Sequence, residues 1–198
     1  LGADIVVYSA TKHIDGQGRA MGGAILSSKQ HFEDHIKTFT RHTGPTLSPF
    51  NAWVMMKGLE TLGVRTDRQI ENANLIAEHL KTLSEVSQVI YPGHKDHPQF
   101  EIAQKQMSGG GPLVTFKIKG GKEEAFSFLN KLEIIKISNN LGDTKSLITH
   151  PSTTTHRSVS AEDKAVLGIT DNTLRLSVGL EDISDIIDDL NFATSVVK

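Results

Sequence analysis

Apolar positions recur along this chain in two rhythms, and each rhythm predicts a kind of element. Ile5 to Tyr8 is a short β-branched run, which predicts a strand buried on both faces. Gly16-Gln17-Gly18-Arg19 reads as a glycine-rich turn, and Gly22-Gly23-Ala24-Ile25-Leu26 as a second strand of small residues. Residues 28–38 have helical character, whereas Arg41 to Pro49, with two prolines and a glycine, reads as a shaped loop. Ser48-Pro49 then opens a helix through Phe50, Trp53, Val54, Met56 and Leu59. A serine can cap the first free N–H groups, and proline loses nothing in a first turn. After Gly63 a long helix sets Ile70, Ala73, Ala77 and Leu80 at spacings of three and four, one buried stripe.

Strands are expected over Val86 to Tyr91, Pro112 to Lys119, Ile134 to Ser138 and Thr173 to Val178. Helices are expected over residues 98–106, 122–131 and 183–196, with a further capped start at Ser160-Ala161-Glu162-Asp163. Strands interleaved with helices predict an α/β fold, here a small sheet with helices on one face. In the last helix Asp185, Asp188 and Asp189 form the expected wet face, opposite Ile183, Ile186, Ile187 and Leu190.

Composition narrows the function without naming it. The chain has 198 residues, 37% hydrophobic and 22% charged, which suits one large domain or parts of two. A net charge of -2 gives no reason to expect nucleic acid or an anionic membrane as partner. There is no cysteine, hence no disulfide framework and no thiolate metal site, which fits the cytoplasm. No apolar run approaches the roughly 20 residues of a membrane helix, and no signal-peptide pattern is present. The chain opens with Leu1 and runs at once into a core-like strand, so it is expected to be cut from a longer protein.

The strongest chemical signal is Ser9-Ala10-Thr11-Lys12, between the first strand and the glycine-rich turn. A lysine ε-amine can condense with an aldehyde cofactor if it is deprotonated near neutral pH. Burial and a neighbouring cation both favour that neutral form. Ser9 and Thr11 could donate hydrogen bonds to a cofactor phosphate. Taken alone, the tetrapeptide is more simply an exposed lysine at a strand end.

Four separated blocks change that balance. Ser9-Ala10-Thr11-Lys12-His13-Ile14-Asp15-Gly16-Gln17-Gly18 resembles the cofactor-lysine signature of the Cys/Met-metabolism enzymes that use pyridoxal 5'-phosphate (PLP). The resemblance continues through Gly44 to Trp53 and Lys57 to Leu62. It returns at Asn140-Leu141-Gly142-Asp143 to Thr149-His150-Pro151, and ends at Leu174-Arg175-Leu176-Ser177-Val178-Gly179-Leu180-Glu181. It covers nearly the whole chain and implies a C-terminal part of a fold-type I PLP-dependent transferase. Residues 1–62 would end the large PLP-binding domain, and 63–198 would form the small C-terminal α/β domain. Lys12 would bind PLP and shuttle protons, Ser9 and Thr11 would grip its phosphate, and Arg175 would clamp the substrate α-carboxylate. Asn140 stands where most of the family has a serine near the substrate carboxylate.

Within the family, Ser138 to Asp143 and Asp15 to Arg19 look most like the O-succinylhomoserine sulfhydrylases. That implies γ-replacement of succinate by sulfide, giving homocysteine for methionine biosynthesis. Cystathionine γ-synthase and the cystathionine or methionine γ-lyases are the near alternatives, and a non-catalytic oligomerisation module of the same fold is the distant one. The resemblance also implies a small-molecule amino-acid substrate and a homotetramer built as a dimer of dimers. The acidic partner of the cofactor ring, the aromatic residue over it and a phosphate loop lie upstream of the lysine in family members. This stretch alone is therefore not expected to be a complete active site.

Other signals are weaker. Gly16-Gln17-Gly18-Arg19-Ala20-Met21 lacks the third glycine of a dinucleotide fingerprint. His31 and His35, four apart and followed by His42, fit a solvated helix face better than a metal site, so no metal is expected. His94 and His97, with Asp96, read as surface residues of a turn.

Overall fold

The structure is a computed structural model describing residues 2–197. Its chain resolves into two compact units, Leu1–Gly63 and Val64–Lys198. In the first, β1 (Ile5–Ser9) pairs antiparallel with β2 (Gly23–Ser27), Val7 opposite Ile25. The expected burial on both faces is corrected: Val7 is 75% exposed, and Ile5, Val6, Ile25 and Leu26 are exposed too. Among the described residues this sheet has two strands, each with a single strand neighbour.

After β2 the helical stretch is longer than expected. α1 (Lys29–His31) is capped by Ser28 and passes through a π-helical turn (Phe32–Ile36) into α2 (Lys37–Thr43). The loop is thus shorter than Arg41 to Pro49, beginning at Gly44, whose φ of 70° ends the helix in the left-handed conformation. Ser48 caps α3 (Pro49–Glu60) by accepting the Asn51 N–H at 3.2 Å. Val54 and Met55 of α3 make a small core with Ala10, Ala20 and Ile14.

The second unit is built on a five-stranded sheet in the order β3-β4-β7-β6-β5. Its strands are β3 (Val86–Ile90), β4 (Leu113–Ile118), β5 (Lys136–Ile137), β6 (Leu147–Thr149) and β7 (Thr173–Ser177). Only β5 and β6 run parallel; the other pairs are antiparallel. The strand expected over Ile134 to Ser138 shortens to two residues, and β6 is an addition to the expected set. α4 (Leu62–Thr82) starts one residue before Gly63 and supplies Ala73, Ile76, Ala77 and Leu80 to the core. α6 (Lys122–Lys131) adds Ala125, Phe128 and Leu129, and α8 (Ile183–Thr194) adds Ile186, Leu190 and Ala193. They meet Val114, Phe116, Ile118, Ile148, Leu174 and Leu176, the alternate positions of the strands. α5 (Phe100–Gln106) and α7 (Ala161–Val166) are short, and Ser160 caps α7.

Two expected surface residues are buried. Asp189 is 5% exposed, and its carboxylate accepts the backbone N–H groups of Glu133, Ile134 and Ile135 at 2.8, 3.1 and 2.9 Å. Its wet-face assignment is corrected: three amide donors replace water around the charge. His94 is also buried, edge-on to the Tyr91 ring at 5.2 Å. Burial lowers its pKa, the Lys81 charge adding to the effect and Glu78 and Asp96 opposing it.

Candidate active site

The Lys12 segment is held as a rigid turn. β1 ends at Ser9, and the chain folds back on itself through three backbone bonds. Lys12 N–H donates to the Ser9 carbonyl at 3.1 Å, Asp15 N–H to Ala10 at 2.9 Å, and Gly16 N–H to Lys12 at 2.8 Å. Gly16 and Gly18 have φ of 68° and 65°, the left-handed conformation that favours glycine. Thr11 ties the turn to the start of β2: its N–H donates to the Gly22 carbonyl at 3.2 Å, and its hydroxyl accepts the Gly22 N–H at 3.0 Å. Ser9 is exposed, while Lys12 is half-buried.

Asp15 fixes the far end of the turn. Its buried carboxylate accepts the Arg19 backbone N–H at 2.7 Å and the Arg19 Nε–H at 3.0 Å, and the Arg19 Nη2–H reaches the Asp15 carbonyl at 2.9 Å. Burial alone would raise the Asp15 pKa, but the bonds and charge from Arg19 and the bond from Ala20 hold it below the usual carboxylate value. The Tyr8 hydroxyl lies 3.0 Å from His13 Nδ1. Gly58 of α3 packs directly against the backbone of Ile14 and Asp15.

In the second unit, Arg175 lies on β7, inside the sheet rather than at its edge. It pairs with Thr115 of β4 and Thr149 of β6. Opposed residues of antiparallel strands point to the same face, so the two threonines flank the arginine. Its Nη2 donates to the carbonyls of Asn139 at 3.1 Å and Asn140 at 3.3 Å. Its Nε is buried and, among the described residues, has no hydrogen-bond partner. Burial lowers the guanidinium pKa, yet arginine stays protonated at neutral pH. A planar cation braced at one nitrogen, with a buried donor unmet, suits bidentate capture of a carboxylate.

The sites expected from the sequence therefore fall in two clusters, Ser9, Thr11 and Lys12 in the first unit and Asn140 and Arg175 in the second. Asn140 meets Arg175 through its backbone carbonyl, a contact any residue could make. Residues the sequence reading passed over brace the loop after Asn140 and the segment from Gly179 to Glu181. Gln69 and Asn72 of α4 are buried and donate to carbonyls far along the chain. Glu181 accepts the N–H and hydroxyl of Ser146 at 2.6 and 2.9 Å. One signal was available: Gln69 and Asn72 fall on the same helical stripe as Ala73 and Ile76, where apolar residues belong. Among the described residues no group of three or more His, Asp or Glu could hold a metal ion, and no helix is long and apolar enough to cross a membrane.

A family model described as "Cys/Met metabolism PLP-dependent enzyme" matches residues 1–195. The chain is 51% identical over 199 residues to an O-succinylhomoserine sulfhydrylase of Mycobacterium tuberculosis, covering 98% of this chain and 49% of the relative. It is 46% identical to an O-succinylhomoserine sulfhydrylase of Pseudomonas aeruginosa (96% of this chain, 47% of the relative) and 42% identical to an L-methionine gamma-lyase of Fusobacterium nucleatum (96% and 48%). Among solved structures, cystathionine gamma synthase of Xanthomonas oryzae pv. oryzae superposes with a TM-score of 0.94 at 36% identity, covering 99% of this chain and 51% of that one. The chain spans about half the length of the curated relatives it matches.

Proposed function

This chain belongs to the Cys/Met-metabolism PLP-dependent enzymes, and we propose that it is the C-terminal part of an O-succinylhomoserine sulfhydrylase. Its first unit would close the large cofactor domain, and its second would be the small C-terminal domain. The observation that carries the reading is the Lys12 turn: a half-buried lysine with its backbone fixed by bonds on both sides, beside an exposed serine. The residues present fit PLP, since an amine and neighbouring hydroxyls are the donor set an aldehyde and a phosphate require.

When bound, PLP supplies an electron sink that makes protons on substrate carbon acidic. Lys12 Nζ would hold the cofactor and would move protons at the substrate α- and β-carbons. Ser9, which is exposed, would donate its hydroxyl to the phosphate. Thr11, whose hydroxyl now donates to the Gly22 carbonyl at 3.3 Å, would give a second hydroxyl donor to the phosphate. Arg175 receives the α-carboxylate on Nε and Nη1, with Asn140 supporting it. In the net reaction the substrate Cγ–O bond to succinate breaks and a Cγ–S bond to sulfide forms, giving homocysteine. The working protein would be a cytoplasmic homotetramer.

An assay of the full-length holoenzyme tests this. It would receive O-succinyl-L-homoserine with sulfide, the same ester with cysteine, and L-methionine alone. Homocysteine formed fastest from ester and sulfide supports the reading. Cystathionine as main product, or thiol release from methionine, would move the assignment to the γ-synthases or γ-lyases. Turnover of none by folded, PLP-treated protein would favour a non-catalytic module.

A further inference from the structure

Arg175 can hold a carboxylate only if its guanidinium plane is fixed, and the carbonyls that fix it belong to a loop without regular structure. From Ser138 to Ser146 the chain forms neither helix nor strand, and Gly142 has a φ of 76°. Within the segment Ser138 Oγ accepts the Asn140 N–H at 3.2 Å. Two buried side chains hold the following residues, Gly142 and Asp143, from outside. Gln69, on α4 and 0% exposed, donates its Nε2–H to the Asp143 carbonyl at 2.7 Å. Ser177, also 0% exposed, lies two residues beyond Arg175 on β7 and accepts the Gly142 N–H at 2.9 Å.

A buried amide or hydroxyl costs stability unless it is bonded, and an apolar residue would fill either position more cheaply. Here both polar groups satisfy loop backbone within four residues of the carbonyls that grip Arg175. We propose that Gln69 and Ser177 are positioning residues for Arg175, setting its guanidinium through the Asn139–Asp143 backbone. This rests on the reading of Arg175 as the carboxylate clamp. Neither residue touches substrate; each determines where the Nε and Nη1 donors point.

The test uses full-length holoenzyme and glycine, an α-amino acid without a leaving group, its binding followed by the change in cofactor absorption. Gln69→Met and Ser177→Ala are made alone and in an Arg175→Ala background, and thermal midpoints are recorded for all. Each single substitution is expected to weaken glycine binding about tenfold, as loss of one buried bond of ~1.4 kcal/mol would. In the Arg175→Ala background the same substitutions are expected to change affinity less than about twofold, although both still lower the midpoint. Ser177→Thr, which keeps the hydroxyl, is expected to bind like wild type. Unchanged binding in both single variants, or equal weakening with and without Arg175, overturns the proposal. If Arg175→Ala itself leaves glycine binding unchanged, the clamp reading fails instead.

Discussion

Gly58 of α3 and Ile14 of the Lys12 turn lie so close that a Cβ on Gly58 would collide with the Ile14 carbonyl oxygen and come within 3.0 Å of the Asp15 carbonyl oxygen. Both obstacles are backbone, which cannot swing aside as a side-chain end could. The missing side chain therefore sets how near the Lys12 turn approaches the helix.

Gly58→Ala should push that turn outward. Inserting a methyl group into a packed contact costs about 1–3 kcal/mol, despite the small gain in helix propensity. The full-length protein is expected to melt several degrees lower and to require more PLP for half-saturation, as read by thermal denaturation and by absorbance titration. A wild-type midpoint with wild-type saturation would show that the turn has room to move.

Asp189 should be among the most sensitive positions of the second unit. Asp189→Ala leaves three backbone amides around Glu133 to Ile135 without their acceptor. The expected loss is roughly 2–5 kcal/mol, since each orphaned donor costs about 1–3 kcal/mol and water can reach some of them. Asp188→Ala on the exposed face serves as control, with an expected change within about 0.5 kcal/mol. Urea denaturation of the two variants reads the difference.

Asp15 links stability to acid. Its folded pKa lies below the unfolded value of about 3.9, because the bonds from Arg19 and Ala20 outweigh burial. The group therefore stabilises the fold fully above the unfolded value, and that contribution disappears as the pH falls through the folded one. The denaturation midpoint of wild type should drop between about pH 5 and pH 2 more steeply than that of Asp15→Asn. Parallel pH profiles would show that Asp15 is not a source of the dependence.

Arg175→Lys keeps the charge and loses the planar fork. For a clamp on the α-carboxylate, KM for the amino-acid substrate should rise on the order of tenfold or more, with a smaller change in kcat. A lower kcat at unchanged KM, so that kcat and kcat/KM fall equally, would place the Arg175 contribution in the transition state rather than in ground-state binding. Steady-state kinetics over a range of amino-acid concentrations separates the two.

Much of this was legible in the sequence because local chemistry governed it. The helix over 122–131 appears over those same residues, and the alternation in Pro112 to Lys119 gives β4 its buried Val114, Phe116 and Ile118. Ser48 caps its helix because a hydroxyl before Pro49 meets free N–H groups wherever the rest of the chain lies. What escaped depended on distant partners. Asp189 sits at the border of its helix face, and periodicity cannot show that three amides more than fifty residues earlier await it. Gln69 and Asn72 are polar for the same reason, their partners being carbonyls 74 and 107 residues away. β6 has three residues, too few for any period, and exists because β5 and β7 flank it. The Lys12 and Arg175 clusters were found through linear motifs, whereas the bonds that stiffen them are visible only in three dimensions.

The central claim is that Lys12 carries PLP, and borohydride reduction of the PLP-treated full-length protein tests it most directly. After proteolysis, mass spectrometry of the peptides reads the site of attachment. The expected result is a reduced pyridoxyl group on Lys12 and on no other lysine in stoichiometric amount. A folded protein whose Lys12 peptide emerges unmodified would contradict the account.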